Sequence, residues 1–298
     1  MSFPNTFIVG AAKAGTTSLH HYLGQHPQVF MSAWKEPHHF ADITIDPNKS
    51  HMMRRYADER AYQALFAKAG DRPVVGEASP SYLWDPQAAA RIRARVPHAR
   101  IIVLLRDPVQ RAFSHYWMDV REGLQTQAPL KAFRDDYALP GKRWGGKGHL
   151  YVELGFYARQ LARFYEAFPA PQIRVYLFDE LRSRPQAVLV DLATFLGIDP
   201  APMSAIDTSE PLNPYARPRN ALAGGLMRQA WLRQAAQHMI PARLRRSVRD
   251  HLLLRRDAKP PADREAIAWL SALYAPELDA LERLLGRALP ALRTSLVG

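Results

Sequence analysis

A glycine-rich segment near the amino terminus has the residues to bind an anion. Residues 7–23 read FIVGAAKAGTTSLHHYL, in which Gly10 and Gly15 are separated by four residues and two threonines follow. A strand that ends at Val9 and a helix that begins near Thr17 would direct backbone N–H groups and the positive end of the helix dipole toward one point. The segment therefore predicts a loop that holds a phosphate or a similar oxyanion.

The position of the lysine distinguishes this loop from that of nucleoside triphosphatases. In their pattern, G-x-x-x-x-G-K-[ST], the lysine follows the second glycine and reaches the β- and γ-phosphates. Here Lys13 precedes Gly15, so its ammonium could lie over an oxygen that bridges two anionic groups. That position suits a lysine that stabilises a leaving group.

The loop resembles the 5′-phosphosulfate loop of sulfotransferases that use 3′-phosphoadenosine 5′-phosphosulfate (PAPS). The pattern of that loop, K-x-G-T-[TS]-x-L, is matched by Lys13, Gly15, Thr16, Thr17 and Leu19. The resemblance implies that PAPS is the sulfuryl donor and that Lys13 neutralises the departing 5′-phosphate. Backbone and hydroxyl groups would hold this phosphate, and they belong to Ala14, Gly15, Thr16, Thr17 and Ser18. No metal is expected, because a sulfuryl group carries less negative charge than a phosphoryl group.

A second phosphate site is predicted at residues 101–116, IIVLLRDPVQRAFSHY. Arg106 ends an apolar run and Ser114 follows eight residues later, so a guanidinium and a hydroxyl could hold one phosphate. The segment resembles the 3′-phosphate motif of the same family, R-[DN]-P-x-x-R-x-x-S-x-[YF], which is matched by Arg106, Asp107, Pro108, Arg111, Ser114 and Tyr116. Asp107 is expected to cap the helix that follows.

The candidate proton acceptor is Glu77, in the segment VVGEASPSYLWDP just beyond a short apolar strand. Burial at that place would raise the pKa of its carboxyl toward neutrality. The segment resembles the E-K-[ST]-P-x-Y signature of the heparan-sulfate-type branch of the family, although Ala78 replaces the lysine. The resemblance implies that Glu77 is the general base.

Two further sets of residues are assigned by the resemblance. The segment KEPHHF is similar to K-E-x-H-[FY]-F of the same branch, which implies that Lys35 faces the sulfonate or the acceptor and that His38 is a second acid or base. The family often closes the nucleotide site with a later basic K-G loop. No such sequence follows residue 200, and Arg217 and Arg219 are the predicted substitutes.

Alternating strands and helices must position these groups. Apolar runs predict strands at 6–9, 73–75, 100–105 and 173–178, and helical periodicity predicts helices at 18–24, 61–69, 88–95, 110–121 and 156–168. This order predicts an α/β fold of three layers, like that of P-loop proteins, with helices on both faces of a central, mainly parallel sheet. Ligands of such sheets bind at the carboxyl ends of the strands.

Residues 123–149, which contain several glycines and prolines, predict a mobile loop, either a lid or a surface excursion.

Length and composition limit the class of protein. A single domain is expected over residues 1–298, with a core at 5–200 and a helical C-terminal region at 201–298. The net charge of +12 favours anionic partners, and the absence of cysteine excludes disulfides, cysteine-ligated zinc and thiolate catalysis. We find no signal peptide and no apolar run near the ~20 residues that a membrane span requires, so a cytoplasmic location is expected.

The partners follow partly from the resemblance. The expected acceptor is a hydroxyl group of a carbohydrate or glycolipid, with a lipid or small-molecule alcohol as the alternative. Two other interpretations stay open: Asp107 could bind Mg²⁺ in a P-loop kinase or NTPase, and the arginine-rich segments between residues 217 and 256 could contact an anionic membrane as amphipathic helices. Nucleic acid is not expected, because no binding module is recognisable.

Overall fold

A parallel sheet forms the centre of the computed structural model, which describes residues 3–49, 53–208 and 263–295 and the backbone of residues 217–218 and 254–255. The sheet has five strands in the order β2-β3-β1-β4-β5, and neighbouring strands pair in parallel. The strands are β1 (Thr6–Gly10), β2 (Val29–Met31), β3 (Val74–Ala78), β4 (Arg100–Leu105) and β5 (Ile173–Leu177). The predicted α/β fold with a parallel sheet is confirmed.

Helices surround this sheet. Every residue of β1 and β3 is buried, which is typical of parallel strands covered on both faces. The described helices are α1 (Thr16–Leu23), α2 (Glu59–Ala64), α3 (Ser81–Trp84), α4 (Ala88–Arg95), α5 (Pro108–Arg121), α6 (Pro129–Ala138), α7 (Tyr157–Ala167), α8 (Phe178–Ser183), α9 (Pro185–Leu196) and α10 (Arg264–Leu285). None of these helices is long and apolar enough to cross a bilayer.

Three adjacent strands bring the predicted motifs to one edge of the sheet. Strand β1 lies between β3 and β4, with Ile8 opposite both Ala78 and Ile102. The loop that contains Lys13 follows β1, and Arg106 follows β4. Because the strands are parallel, these two segments leave the sheet on the same side.

Several boundaries differ from the prediction. Strand β2 lies outside the predicted strands, since three residues are too few to establish a period. Phe178, predicted to end a strand, begins α8 instead. Helix α2 starts earlier than the predicted residue 61, because the Asp58 side chain accepts a hydrogen bond from the Ala61 N–H at 2.8 Å and so caps the helix.

The prediction of a loop over residues 123–149 is wrong for α6. This helix begins at Pro129, in the first turn, where the missing N–H of proline costs no hydrogen bond. The Asp136 carboxylate then accepts hydrogen bonds from the backbone N–H groups of His149, at 2.6 Å, and Tyr151, at 2.9 Å. These two hydrogen bonds attach the end of α6 to the backbone of residues 149–151.

The predicted helical C-terminal region is confirmed by α10 in the part of it that the structure describes. Its helix α10 packs against α5, α6 and α7 and contributes Leu270 and Tyr274 to a second apolar cluster. Two short strands, β6 (Arg217–Pro218) and β7 (Leu254–Arg255), come before α10 in the sequence and pair with each other in antiparallel fashion. The sequence predicts helices in this part of the chain.

The packing of α10 on the core gives a stability prediction. A Cβ at Gly155 would lie 2.6 Å from Cζ of buried Tyr274, whose hydroxyl donates to the Val152 carbonyl at 2.8 Å. Gly155→Ala should therefore displace this ring and lower the free energy of unfolding by about 1–3 kcal/mol. Urea denaturation measures the change, and Gly24→Ala is the control, because its nearest contact would be an ordinary 3.4 Å. Equal stabilities of the two variants would contradict the role given to this contact.

Candidate active site

A cavity of about 610 Å³ opens where β1 and β4 end. The loop after β1 and the start of α1 form one wall, and residues of α5 form another. The structure thus brings together most of the predicted anion-binding residues, namely Lys13, Gly15, Thr16, Thr17, Ser18, Arg106 and Ser114. The side chain of Ala14 is buried in the core.

Gly15 shapes the anion-binding loop. Its φ of +92° lies in the left-handed region, which glycine adopts without strain, and a Cβ there would lie 3.0 Å from the Phe178 ring. The first bond of α1 runs from the Leu19 N–H to the Gly15 carbonyl, at 3.1 Å, and no side chain caps the helix. The N–H groups of the first turn therefore precede the helical ladder and are placed to bind an anion.

Lys13 is a half-buried cation in this loop. It adopts a φ of +67°, a strained value for a residue with a side chain, and its Nζ lies 3.3 Å from Met118 Sδ. Burial, together with the charge of Arg121, lowers the pKa of Lys13 to about 8. The ammonium is still mostly charged at neutral pH, and a bound anion would remove the cost of burying it.

Arg106 links the loop to β4. Its Nη1 donates to the Lys13 carbonyl at 3.2 Å, and its guanidinium lies 4.6 Å from the centre of the Phe178 ring. Its buried Nε has no hydrogen-bond partner among the described residues. With Ser114 in the same cavity, this unsatisfied donor fits a second anionic group close to the first.

Asp107 caps α5, as predicted. One carboxylate oxygen accepts from the N–H groups of Val109 and Gln110, at 2.9 and 3.0 Å. The other accepts from the Thr294 hydroxyl and the Ser295 N–H, at 2.9 and 2.8 Å. Because four donors occupy this carboxylate, it is poorly placed to bind Mg²⁺, which argues against the kinase interpretation.

Glu77 lies within β3 rather than beyond it, and it does not line the cavity. Its side chain is fully buried. The hydroxyls of Tyr62 and Tyr82 donate to Oε1, each at 2.6 Å, and the Ser79 hydroxyl donates to Oε2 at 2.6 Å. Burial raises the pKa of Glu77 to about 6 against the opposing effect of these hydrogen bonds. The carboxylate is thus part of a closed network in the core.

Glu36 is the glutamate that lines the cavity, and it is a residue to which sequence reasoning gives no role. Its N–H donates to the Ala78 carbonyl at 3.0 Å, so the end of β3 positions it, and its φ of +64° is again left-handed. Its carboxylate pairs with Lys35. Burial acts to raise the pKa of Glu36, but the charge and hydrogen bond of Lys35 hold it below its ordinary value. Glu36 is therefore ionised at neutral pH.

His38 lies behind Glu36 and not in the cavity. It is fully buried, its Nδ1 lies 2.7 Å from the Ser81 hydroxyl, and its backbone N–H donates to Ser79 Oγ at 3.1 Å. Burial lowers the pKa of His38 to about 4, so the ring is neutral at physiological pH. Its Nε2 lies 3.8 Å from Glu36 Oε2. His38 therefore contacts a residue that lines the cavity but does not line it itself.

Other residues of the cavity carry no sequence-based assignment. Among them are His115 and Asp119 of α5, and Trp144 and His149 of the segment after α6. The i, i+4 spacing of His115 and Asp119, next to Ser114, is a signal that could have placed them on the same helix face. The segment after α6 offers no such periodic signal, so its contribution follows from tertiary packing alone.

Two predicted residues cannot be located in this site. The side chains of Arg217 and Arg219 lie outside the described residues, and so do the side chains of the arginine-rich segments considered for membrane contact.

The amino-terminal two thirds of the chain match a known family. The model described as Sulfotransferase family matches residues 4–202. A sulfotransferase from Alicyclobacillus acidocaldarius, known from its crystal structure, superposes with a TM-score of 0.71 and 30% sequence identity. That similarity covers 98% of this chain and 100% of the other.

Two curated relatives have names that include an acceptor class. Human heparan sulfate glucosamine 3-O-sulfotransferase 6 is 31% identical over 199 residues, which cover 66% of this chain and 53% of that protein. Mouse carbohydrate sulfotransferase 15 is 26% identical over 275 residues, which cover 74% of this chain and 49% of that protein. The chain spans about half the length of these two relatives.

The buried Glu77 network predicts a pH-dependent stability. Because burial raises the folded pKa from 4.5 to about 6, the folded state binds more protons than the unfolded state between these pH values. The free energy of unfolding should therefore fall, relative to that of Glu77→Gln, by about 2 kcal/mol as the pH rises through this range. Urea denaturation of both proteins across the range measures the difference. A difference that does not change with pH would show that the Glu77 pKa is not raised.

Proposed function

The chain belongs to the sulfotransferase family, and we propose that it transfers a sulfuryl group from PAPS to a hydroxyl group of a carbohydrate or glycolipid acceptor. The observation that carries this proposal is that one cavity is lined both by Lys13 with the first turn of α1 and by the Arg106 and Ser114 pair. Two anion-binding groups in one cavity match a donor that has phosphates at both its 5′ and 3′ positions.

The residues present fit such a donor. The backbone N–H groups at the start of α1 and the hydroxyls of Thr16 and Thr17 would hold the 5′-phosphate, and Arg106 and Ser114 the 3′-phosphate. The unpaired Nε of Arg106 supports the second assignment, because a buried guanidinium donor needs an acceptor. When bound, PAPS would supply the sulfuryl group, and the rest of the nucleotide would leave through its 5′-phosphate oxygen.

We assign the proton acceptor to Glu36 instead of Glu77. Glu36 lines the cavity, is ionised at neutral pH and lies close enough to Lys13 for their charges to interact, whereas three hydroxyl groups surround the Glu77 carboxylate in the core. Lys35 and His38 then act on Glu36, because both lie against its carboxylate.

Glu36 and Lys13 have different roles in the transfer. Glu36 takes the proton of the acceptor hydroxyl while the hydroxyl oxygen forms the new bond to sulfur. The Lys13 ammonium and the N–H groups of the loop stabilise the negative charge on the phosphate oxygen whose bond to sulfur breaks. Neither role requires a metal ion, and the proposal therefore includes activity in the presence of EDTA.

The acceptor class is supported by the relatives whose names specify heparan sulfate or carbohydrate. An aromatic side chain, Trp144, and cationic side chains, Arg121 and Arg143, line the cavity and are suited to a sugar ring and its polar substituents. Incubation with ³⁵S-labelled PAPS and cell extract, followed by identification of the labelled product, tests this class against a lipid or small-molecule alcohol.

Contact with an anionic membrane stays a prediction, tested by vesicle flotation at low and high salt.

The assignment of the base predicts different effects for the two glutamates. Glu36→Gln should lower the rate of sulfuryl transfer by about 100- to 10,000-fold, because the amide at this position cannot accept the proton. Glu77→Gln is the matched control and should retain most of the rate in protein that is folded. Transfer of ³⁵S to desulfated heparan sulfate gives the rates. If instead Glu77→Gln is inactive and Glu36→Gln active, the assignment is reversed.

The assignment of the 3′-phosphate site predicts a change in nucleotide selectivity. Arg106→Lys should weaken binding of 3′-phosphoadenosine 5′-phosphate (PAP) on the order of 10- to 100-fold, because an ammonium cannot reproduce the forked donors of guanidinium. Binding of AMP, which lacks the 3′-phosphate, should change little. Calorimetry with both nucleotides measures the ratio. Tighter binding of ATP than of PAP by the unaltered protein would refute the proposed donor.

A further inference from the structure

A buried carboxylate next to the cavity orients a histidine that the mechanism above does not use. Asp119, near the end of α5, lies 2.6 Å from Nδ1 of His149 and accepts a hydrogen bond from the Tyr151 hydroxyl at 2.8 Å. Nε2 of His115 lies 4.0 Å from the same carboxylate. Asp119, His115 and His149 all line the cavity that contains Lys13.

The contacts of Asp119 define the tautomer of His149. Burial acts to raise the pKa of Asp119, but its hydrogen bond with His149 and the neighbouring histidines hold it below its ordinary value. An ionised carboxylate can only accept hydrogen bonds, so the Nδ1 of His149 carries a proton and donates a hydrogen bond to Asp119. In the neutral ring, Nε2 is then an acceptor.

The His149 ring is held in place on several sides. It stacks on the Tyr151 ring with 4.8 Å between centres and 4° between planes, and its backbone N–H donates to Asp136 at 2.6 Å. The next residue, Leu150, has a φ of +61°, a strained conformation that is typical of functional sites. A ring oriented in this way loses little entropy when it binds a ligand.

Nε2 is the polar atom of His149 that is left for the cavity. It has no hydrogen-bond partner among the described residues, and it is not enclosed, since 22% of the side chain is exposed. Asp119 and Glu36 both line the cavity that contains Lys13, and their charges act on its ammonium. His115, by contrast, has a fully enclosed Nδ1 and is neutral, because burial lowers its pKa to about 3.

We propose that His149 binds the acceptor, with its Nε2 accepting a hydrogen bond from an acceptor hydroxyl while Asp119 and Tyr151 fix its tautomer and orientation. This role rests on the proposed sulfuryl transfer and adds a second acceptor contact to that of Glu36. His149 is a binding residue in this scheme, and Asp119 is a positioning residue that acts through it.

Two substitutions of His149 separate the role of Nε2 from that of Nδ1. Asparagine can keep a donor to Asp119 but has no atom at the Nε2 position, whereas glutamine can place an oxygen there. With desulfated heparan sulfate as the acceptor probe, His149→Asn should lower kcat/KM for the acceptor by about 10- to 100-fold, and His149→Gln should recover part of the loss. PAP affinity, measured by calorimetry, should stay within about twofold for both. His98→Asn, at an exposed histidine, is the control for substitution itself.

A spectroscopic readout tests the tautomer without any acceptor. In the PAP-loaded protein labelled with ¹⁵N-histidine, at a pH where the ring is neutral, NMR should show the proton of His149 on Nδ1. Asp119→Asn should shift the His149 proton toward Nε2, because an amide does not require a donor at Nδ1. The same variant should have a lower kcat/KM for the acceptor. A neutral His149 with its proton on Nε2 in the unaltered protein would overturn the proposal, whatever the acceptor.

The remaining outcomes distinguish this inference from the proposed function. Failure of the unaltered protein to bind PAP refutes the proposed function. If His149→Asn has normal PAP binding and a normal kcat/KM, the role of His149 is refuted and the proposed function is not affected. If desulfated heparan sulfate is not sulfated although PAP binds, the acceptor class is wrong, and the tautomer measurement still decides the inference.

Discussion

The shared edge of three parallel strands is the constraint on which the candidate site depends. Because β3, β1 and β4 are neighbours and run in one direction, the segments that follow them must leave the sheet on the same side. The hydrogen bond from Arg106 to the Lys13 carbonyl then joins the two segments that are proposed to bind anions. The proposed donor, with two separated phosphates, requires both segments to stay in place.

Two glutamates near the end of β3 differ in their surroundings. Glu77 belongs to the strand itself, where hydroxyl donors compensate for the loss of water around its carboxylate. Glu36 is hydrogen-bonded to the carbonyl of the last residue of β3 but its carboxylate faces the cavity, where Lys35 keeps it ionised. A network that is complete in the core suits stability, and a carboxylate open to a cavity suits proton transfer.

The segment after α6 completes the other side of the cavity. Its contacts are mainly to backbone atoms: Asp136 accepts from two N–H groups, and Lys49 donates to the carbonyls of Gly146 and Gly148 at 2.9 and 3.0 Å. Such contacts place His149 in the same cavity as Lys13, although His149 belongs to neither a helix nor a strand. They also explain why a segment rich in glycine is ordered around a site.

The sequence by itself determined the parts of this protein that depend on local pattern. Apolar runs located four of the five central strands, and motif spacing singled out Lys13, Gly15, Arg106 and Ser114, which the structure brings to one cavity. Only the tertiary structure decided which glutamate faces the cavity and which histidines lie there. Those choices depend on burial and on contacts between distant segments, such as the 2.6 Å contact of Asp119 with His149, which no local period encodes.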